Sequence, residues 1–474
     1  MRPTHVSARF SSAWPRITKP LPFQRVAMAA SWRASGVAWV ATLMSGCAEA
    51  QEAASSPIRN APGASISAAS PITGSVQDYD RLLAAAAGAE FVLLGENSHG
   101  TADFYRERAR ITLRLIRERG FRAVILEADW PEAERLNDYV RGQGGDASAE
   151  QALAGFDRFP RWMWRNAEFA ALIEDIRRHN QSLPPEQQVG VYGMDVYNLF
   201  EAAAAVTDYV ARTAPPDAET IRRLYRCFQP YRGRPEAYGA ATRRPSASCE
   251  AAAAAARELV QAVAPQAQPG AQDEHFSALR NASHVIAAEA YYRAAYSGAY
   301  SWNVRDRSMS ETIEAVAAHH AAPGEERGRV VVWAHNTHVG DARATEMTYR
   351  GELNLGQLLK ERHAERVFSV GFLTYAGRVR AAQDWGGSGR VYTLNAALPG
   401  SYSAMLQAAG LDGALIILGE EADDSPLRQP ALQRAVGVIY RPDDERAAHY
   451  FEANLSTQFD GLVFLKQTLP VTPL

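Results

Sequence analysis

The chain has 474 residues, 47% hydrophobic and 22% charged, with a formal net charge of -3. That length allows two or three domains, and the composition is that of an ordinary soluble globular protein. The slightly acidic balance excludes a nucleic-acid binder, which needs a basic stripe to displace phosphate counterions.

Residues 1–36 carry several arginines and no Asp or Glu; the short apolar run Val37–Met44 follows and ends at Ser45-Gly46-Cys47. A basic start, a short apolar run and small residues at a cleavage point predict an export segment over 1–47. The run is too short for a membrane-spanning helix, which needs about 20 apolar residues. Leu43-Met44-Ser45-Gly46-Cys47 resembles a bacterial lipobox, which implies a lipidated Cys47 as membrane tether and a periplasmic or membrane-anchored location. Residues 48–77, rich in Ala, Ser and Pro, read as a flexible linker. The folded domain is expected over 78–474.

Within it, apolar runs at Phe91–Leu94, Ala123–Leu126, Val189–Tyr192 and Val330–Trp333 alternate with helical patterns, the first over 101–119. Val367–Phe372, Ala414–Leu418, Gly437–Tyr440 and Leu462–Leu465 continue the series. The pattern predicts an α/β fold, a mostly parallel sheet flanked by helices. Residues 197–322 lack such a run and are Ala-rich, so they are expected to form an inserted helical subdomain. Cys227 and Cys249 flank a Pro-, Gly- and Arg-rich loop, and an oxidising compartment would permit a disulfide between them.

Four expected strands deliver ionisable side chains at their carboxyl ends: Glu96 and His99, Glu127, Asp195, and His335 and His338. In open parallel sheets ligands bind at that edge, and Trp130, just past Glu127, is a candidate binding residue there. Arg108 lies on the stripe of Phe104, Ile111 and Leu115, and Arg305 on that of Met309, Ile313 and Val316. An inward arginine must be paired, because an unpaired buried charge is costly. Glu96, Glu127 and Asp195 are the candidate partners of Arg108.

This residue set suits acid–base chemistry on water. Glu96 beside His99 could hold the imidazole in one tautomer as a general base, and His338 could act as acid or oxyanion donor. His335 reads equally as a hydrogen-bonded support. Ser98 is not in a nucleophile elbow. Glu96, His99, His335 and His338 could instead form a mixed metal site, but no His-Glu-x-x-His occurs and two inward arginines would oppose a cation. No metal and no cofactor is therefore expected. A non-catalytic envelope protein that binds a ligand in the charged cleft is the further alternative.

Eight motifs carry a family resemblance: Leu94-Gly-Glu-Asn-Ser-His-Gly-Thr101, Leu126-Glu-Ala-Asp-Trp-Pro131, Phe159-Pro-Arg-Trp-Met-Trp-Arg165, Tyr192-Gly-Met-Asp195, Trp302-Asn-Val-Arg-Asp306, Trp333-Ala-His-Asn-Thr-His-Val-Gly-Asp-Ala-Arg343, His449-Tyr-Phe451 and Gln458-Phe-Asp460. Together they resemble the erythromycin esterase family over roughly 78–474. The resemblance implies metal-independent hydrolysis of a carboxylic ester such as a macrolide lactone. It assigns His99 as the base that activates water and Glu96 as its orienting group, with Glu127, Arg108 and His338 completing the catalytic site. Arg305, His335, Asp195 and Trp130 would contact a small-molecule ester or lactone.

Overall fold

The computed structural model describes residues 66–474 apart from 266, 268, 269 and 299. The expected export segment and Cys47 lie outside the described residues. Part of the stretch expected to be linker is structured: Ala69–Pro71 forms the first strand, β1, and Val76–Tyr79 a 3-10 turn capped by the Ser75 side chain.

The next four strands are β2 (Phe91–Leu94), β3 (Ala123–Asp129), β4 (Gly190–Asp195) and β5 (Val330–Trp333). They are followed by β6 (Val367–Ala381), β7 (Arg390–Leu394) and β8 (Gly413–Ile417), then β9 (Ala431–Arg434), β10 (Tyr450–Ala453) and β11 (Gly461–Thr468). One sheet runs β1-β8-β11-β6-β2-β5-β3-β4, with β7 on the far end of β6, while β9 and β10 form a separate antiparallel pair. All pairings from β11 through β4 are parallel; β1, β7 and β8 pair antiparallel. Gly437–Tyr440, expected as a strand, makes only an isolated bridge from Ile439 to Ala382.

The central strands are apolar throughout because both faces are covered. Val92 and Leu94 join one core with Val124, Leu126, Val331 and the helix Ala102–Arg119. Phe91 and Leu93, pointing the other way, join a second core with Ile125, Val332 and the helix Ser301–His319. Burying each such side chain contributes roughly 1.5–3 kcal/mol as an upper figure. The helix Ala102–Arg119 stops at Gly120, whose φ of 70 supplies the left-handed cap.

Helices between β4 and β5 fall into two groups. Those from Leu199 to Tyr292 bury their apolar faces against one another in a core of their own. The last, Ser301–His319, packs on the sheet through Met309, Ile313 and Val316, so the stretch expected as insertion ends in a helix of the main layer. Cys227 and Cys249 are disulfide-bonded, with Cα atoms 6.0 Å apart.

Candidate active site

β2, β5, β3 and β4 are neighbours in that order, so their carboxyl ends sit side by side although they are far apart in the chain. β2 leads into Glu96 and His99, β5 into His335 and His338, β3 carries Glu127 two residues before its end and β4 ends at Asp195. The β3–β4 register shifts between Leu126 and Asp129, a local irregularity that re-aims the strand at Glu127.

The turn after β2 is compressed against its neighbours. A Cβ on Gly95 would lie 2.1 Å from Asn336 Oδ1, and one on Gly100 would lie 1.9 Å from the Arg380 carbonyl oxygen. Only glycine allows such backbone approach. Asn336 ties the turn after β5 to β6, donating to the Phe372 carbonyl at 2.9 Å and accepting from its N–H at 3.2 Å.

His99 donates from Nδ1 to Glu96 Oε1 at 2.9 Å, and Arg108 donates to Glu96 Oε2 at 2.6 Å. Glu96 and Arg108 are fully buried. The Arg108 guanidinium also lies over the rings of Trp333 and Tyr105, 4.3 and 4.7 Å from their centroids. The carboxylate is thus fixed on one side by a cation that cannot move and on the other by the imidazole. With Nδ1 committed, His99 Nε2 has no protein partner among the described residues and keeps its lone pair for a ligand.

A second cluster adjoins the first. Arg305 grips Asp195 bidentately, Nε to Oδ1 and Nη2 to Oδ2 both at 2.7 Å, and donates to Glu127 Oε1 at 2.8 Å. The other oxygen of Glu127 accepts the His335 main-chain N–H at 2.8 Å. His338 Nδ1 sits 2.9 Å from Asp306 Oδ1, its Nε2 3.0 Å from Arg305 Nη1 and 3.3 Å from Glu127 Oε1, and its ring stacks on Trp302 at 4.4 Å. Burial alone would lower the His338 pKa, but the carboxylates of Asp306 and Glu127 outweigh it and push it up to about 9. Burial would likewise raise the Glu127 carboxyl, yet His338, His99 and Arg305 hold it well below the usual range. Glu96, Glu127, Asp195 and Asp306 outnumber the Arg108 and Arg305 guanidiniums by two, and a proton on the His338–Asp306 pair offsets one of those two charges.

His335 has a different place. Its Nδ1 accepts from the Thr337 N–H at 3.3 Å and caps the short helix Asn336–Val339 that presents His338. Its ring lies 5.0 Å from that of His99. Burial and the neighbouring His99 hold it neutral, well below its usual value.

Trp130 is not part of this cluster. Its ring stacks on Tyr192 at 5.4 Å and its indole N–H donates to Ser277 at 2.9 Å, anchoring β3 to the long helix Ala271–Ser297. Its side chain is buried in the sheet–helix core, where it also lines a small cavity with Met194 and Asp195. Asp306 and Trp302 complete the His338 environment; both lie in a family motif but were given no role at the site. The helical spacing of Trp302, Arg305, Asp306 and Met309 was the available signal.

Beside the cluster lies a cleft of about 540 Å3 walled by Tyr197, Tyr291, Tyr292, Tyr296 and Trp385. Tyr197 places its ring 5.3 Å from the Arg305 guanidinium and 4.5 Å from that of Arg158, which pairs with Asp129 at 2.9 Å. The aromatic wall therefore abuts the Arg305 side of the charged site. Among the described residues no three His, Cys, Asp or Glu side chains converge to hold a metal ion.

The sequence model of the family described as Erythromycin esterase matches residues 116–468. The chain belongs to the erythromycin esterase family. Membership makes it an esterase-like hydrolase. The erythromycin esterase type II of Escherichia coli is 25% identical over 315 residues, 61% of this chain and 70% of that one. Among solved structures, a Bacillus cereus protein superposes with a TM-score of 0.71 at 21% identity, covering 86% of this chain and 96% of its own. A succinoglycan biosynthesis protein gives 0.70 at 20%, with the same coverages. A mutant of the erythromycin esterase EreC in its open conformation gives 0.61 at 17%, covering 84% and 95%. At these identities the structural likeness is one of fold.

Proposed function

We propose that this protein hydrolyses a carboxylic ester by attack of water that His99 activates, with no covalent intermediate, and that a macrolide lactone is a candidate substrate. The carrying observation is the buried chain Arg108–Glu96–His99, which leaves one imidazole nitrogen free. Water bound at Nε2 attacks the carbonyl carbon and gives its proton to the imidazole. The oxyanion that forms is stabilised by the cationic Arg305–His338 pair. As the tetrahedral intermediate collapses, the carbon–oxygen bond to the alcohol breaks and the His99 imidazolium returns the proton to the leaving oxygen. The products are a carboxylate and a hydroxyl, on one molecule if the substrate is a lactone. Support for a macrolide comes from the name of the E. coli relative, and the aromatic cleft offers apolar faces for a bulky ring.

Mass spectrometry of a panel of macrolides and simple esters, each treated with and without chelator, tests this. A product heavier than its lactone by one water, formed equally in chelator, is the expected result. Loss of activity in chelator would replace this mechanism with metal-activated water, and an untouched panel would leave a ligand-binding protein.

The proposal extends to export and to acylation of Cys47, supported by the composition of residues 1–47. Labelled palmitate should enter the wild-type chain and not Cys47→Ala; equal labelling would remove the tether.

A further inference from the structure

A second cavity, of about 590 Å3, adjoins the aromatic cleft; Asp157 and Phe159 line both. Phe159 and Trp385, in edge contact at 5.1 Å, stand at the boundary. Three cations line this second cavity: Arg161 and Arg165 from the turn after Phe159, and Arg380 from the outer end of β6. The loop Gly386–Gly389 forms the facing wall, and Gly389 is pressed so close that a Cβ there would lie 2.4 Å from the Trp162 ring.

These arginines differ from those of the catalytic cluster. Arg108, Arg158 and Arg305 each have a carboxylate within 3 Å. Among the described residues Arg161, Arg165 and Arg380 have none within 4 Å, although Asp157 lies on the rim and the Leu474 terminus lines one wall. Arg380 spends its donors on the carbonyls of Val471 and Gly389. Burial pulls its guanidinium below the usual value with no carboxylate to offset it. A concave surface lined by unneutralised guanidiniums focuses a positive field, and guanidinium geometry suits two-point contact with carboxylate, sulfate or phosphate oxygens. The pocket is also built onto the catalytic turn, since the Arg380 main-chain N–H donates to the Gly100 carbonyl at 3.0 Å, one residue beyond His99.

We propose that this pocket is an oxyanion subsite holding a carboxylate, sulfate or phosphate group that the ester substrate carries away from the bond cleaved, while the substrate's body fills the aromatic cleft. The identity of the ligand as substrate rests on the esterase reading; the anion affinity of the pocket does not.

Thermal unfolding of the full chain in rising sodium sulfate, at ionic strength held constant with chloride, reads the anion site directly. Wild type should show a saturable rise in Tm, and the double variant Arg161→Gln/Arg165→Gln should fold and lose it. Among the described residues neither side chain has a hydrogen-bond or ion-pair partner whose loss would confuse the result. Calorimetry then compares a non-hydrolysable amide analogue bearing a distal sulfonate with its uncharged counterpart. The sulfonate should bind wild type at least tenfold more tightly, sulfate should compete, and the double variant should show no preference. No sulfate response in wild type, or an equal response in the double variant, overturns the site. Sulfate binding without preference for the sulfonated analogue overturns the substrate assignment and leaves a site for a free anion. Neither measurement needs turnover, so an inactive esterase would sink only the catalytic reading.

Discussion

His338 has Asp306 on Nδ1 and both Glu127 and the Arg305 guanidinium on Nε2, and its charge state follows from the balance between them. Burial opposes the imidazolium, but the carboxylates raise its pKa from 6.5 to about 9. A folded value above the unfolded one contributes stability that is complete below pH 6.5 and is lost as pH rises through about 9. Activity should follow the same proton: kcat/KM should fall above pH about 9, and Asp306→Asn should move that limb downward. A pH–rate profile of the two proteins checks this; an identical alkaline limb in the variant would separate His338 from catalysis. Arg108 makes a complementary case. Replacing it with Met leaves the buried Glu96 carboxylate with only the His99 imidazole and no guanidinium, at a cost of about 3–5 kcal/mol, measurable by urea unfolding. The inward arginine was legible because it interrupts an apolar helical stripe. Asp306 shares such a stripe with Trp302 and Arg305, but next to Arg305 it reads as an ordinary helix-surface charge, and only the return of His338 from a distant strand gives it a partner.

At the scale of elements, the site depends on turns that only glycine can make. Gly100→Ala would drive a Cβ into the backbone of Arg380, and the enforced shift should cost about 1–3 kcal/mol and displace His99. A lowered Tm together with reduced turnover is expected; an unchanged protein would show that the loop gives way freely. Short, fully buried strands such as β2 and β5 were readable because every residue is apolar and turn residues bound them. β7 (Arg-Val-Tyr-Thr-Leu) and β10 (Tyr-Phe-Glu-Ala) escape such reading, since partly exposed strands mix polar and apolar residues over too few positions. Gly437–Tyr440 shows the converse: an apolar run with a strand's composition meets a neighbour only at the single bridge to Ala382. Trp130 was hard to place for a related reason, because a residue just past a strand's end can turn into the core, as it does here, as readily as into the crevice.

For the whole molecule, catalysis requires four strands to stand in the order β2-β5-β3-β4, and no local spacing encodes that order. β5 enters between β2 and β3 only after the chain has built the helices from Leu199 to Ser297. Those helices have their own core and carry the disulfide across a sequence separation of 22. Closing a loop of that size contributes about 3 kcal/mol in the chain-entropy model. Reduction should therefore destabilise this group of helices, seen as a lower midpoint of denaturant unfolding under thiol; no change would mean that their packing alone sets their stability. The account stands most directly on His99. On whichever ester the panel identifies, His99→Ala should lower kcat/KM by at least about 100-fold while its circular dichroism and Tm match the wild type, and turnover close to wild type in that variant would contradict the mechanism outright.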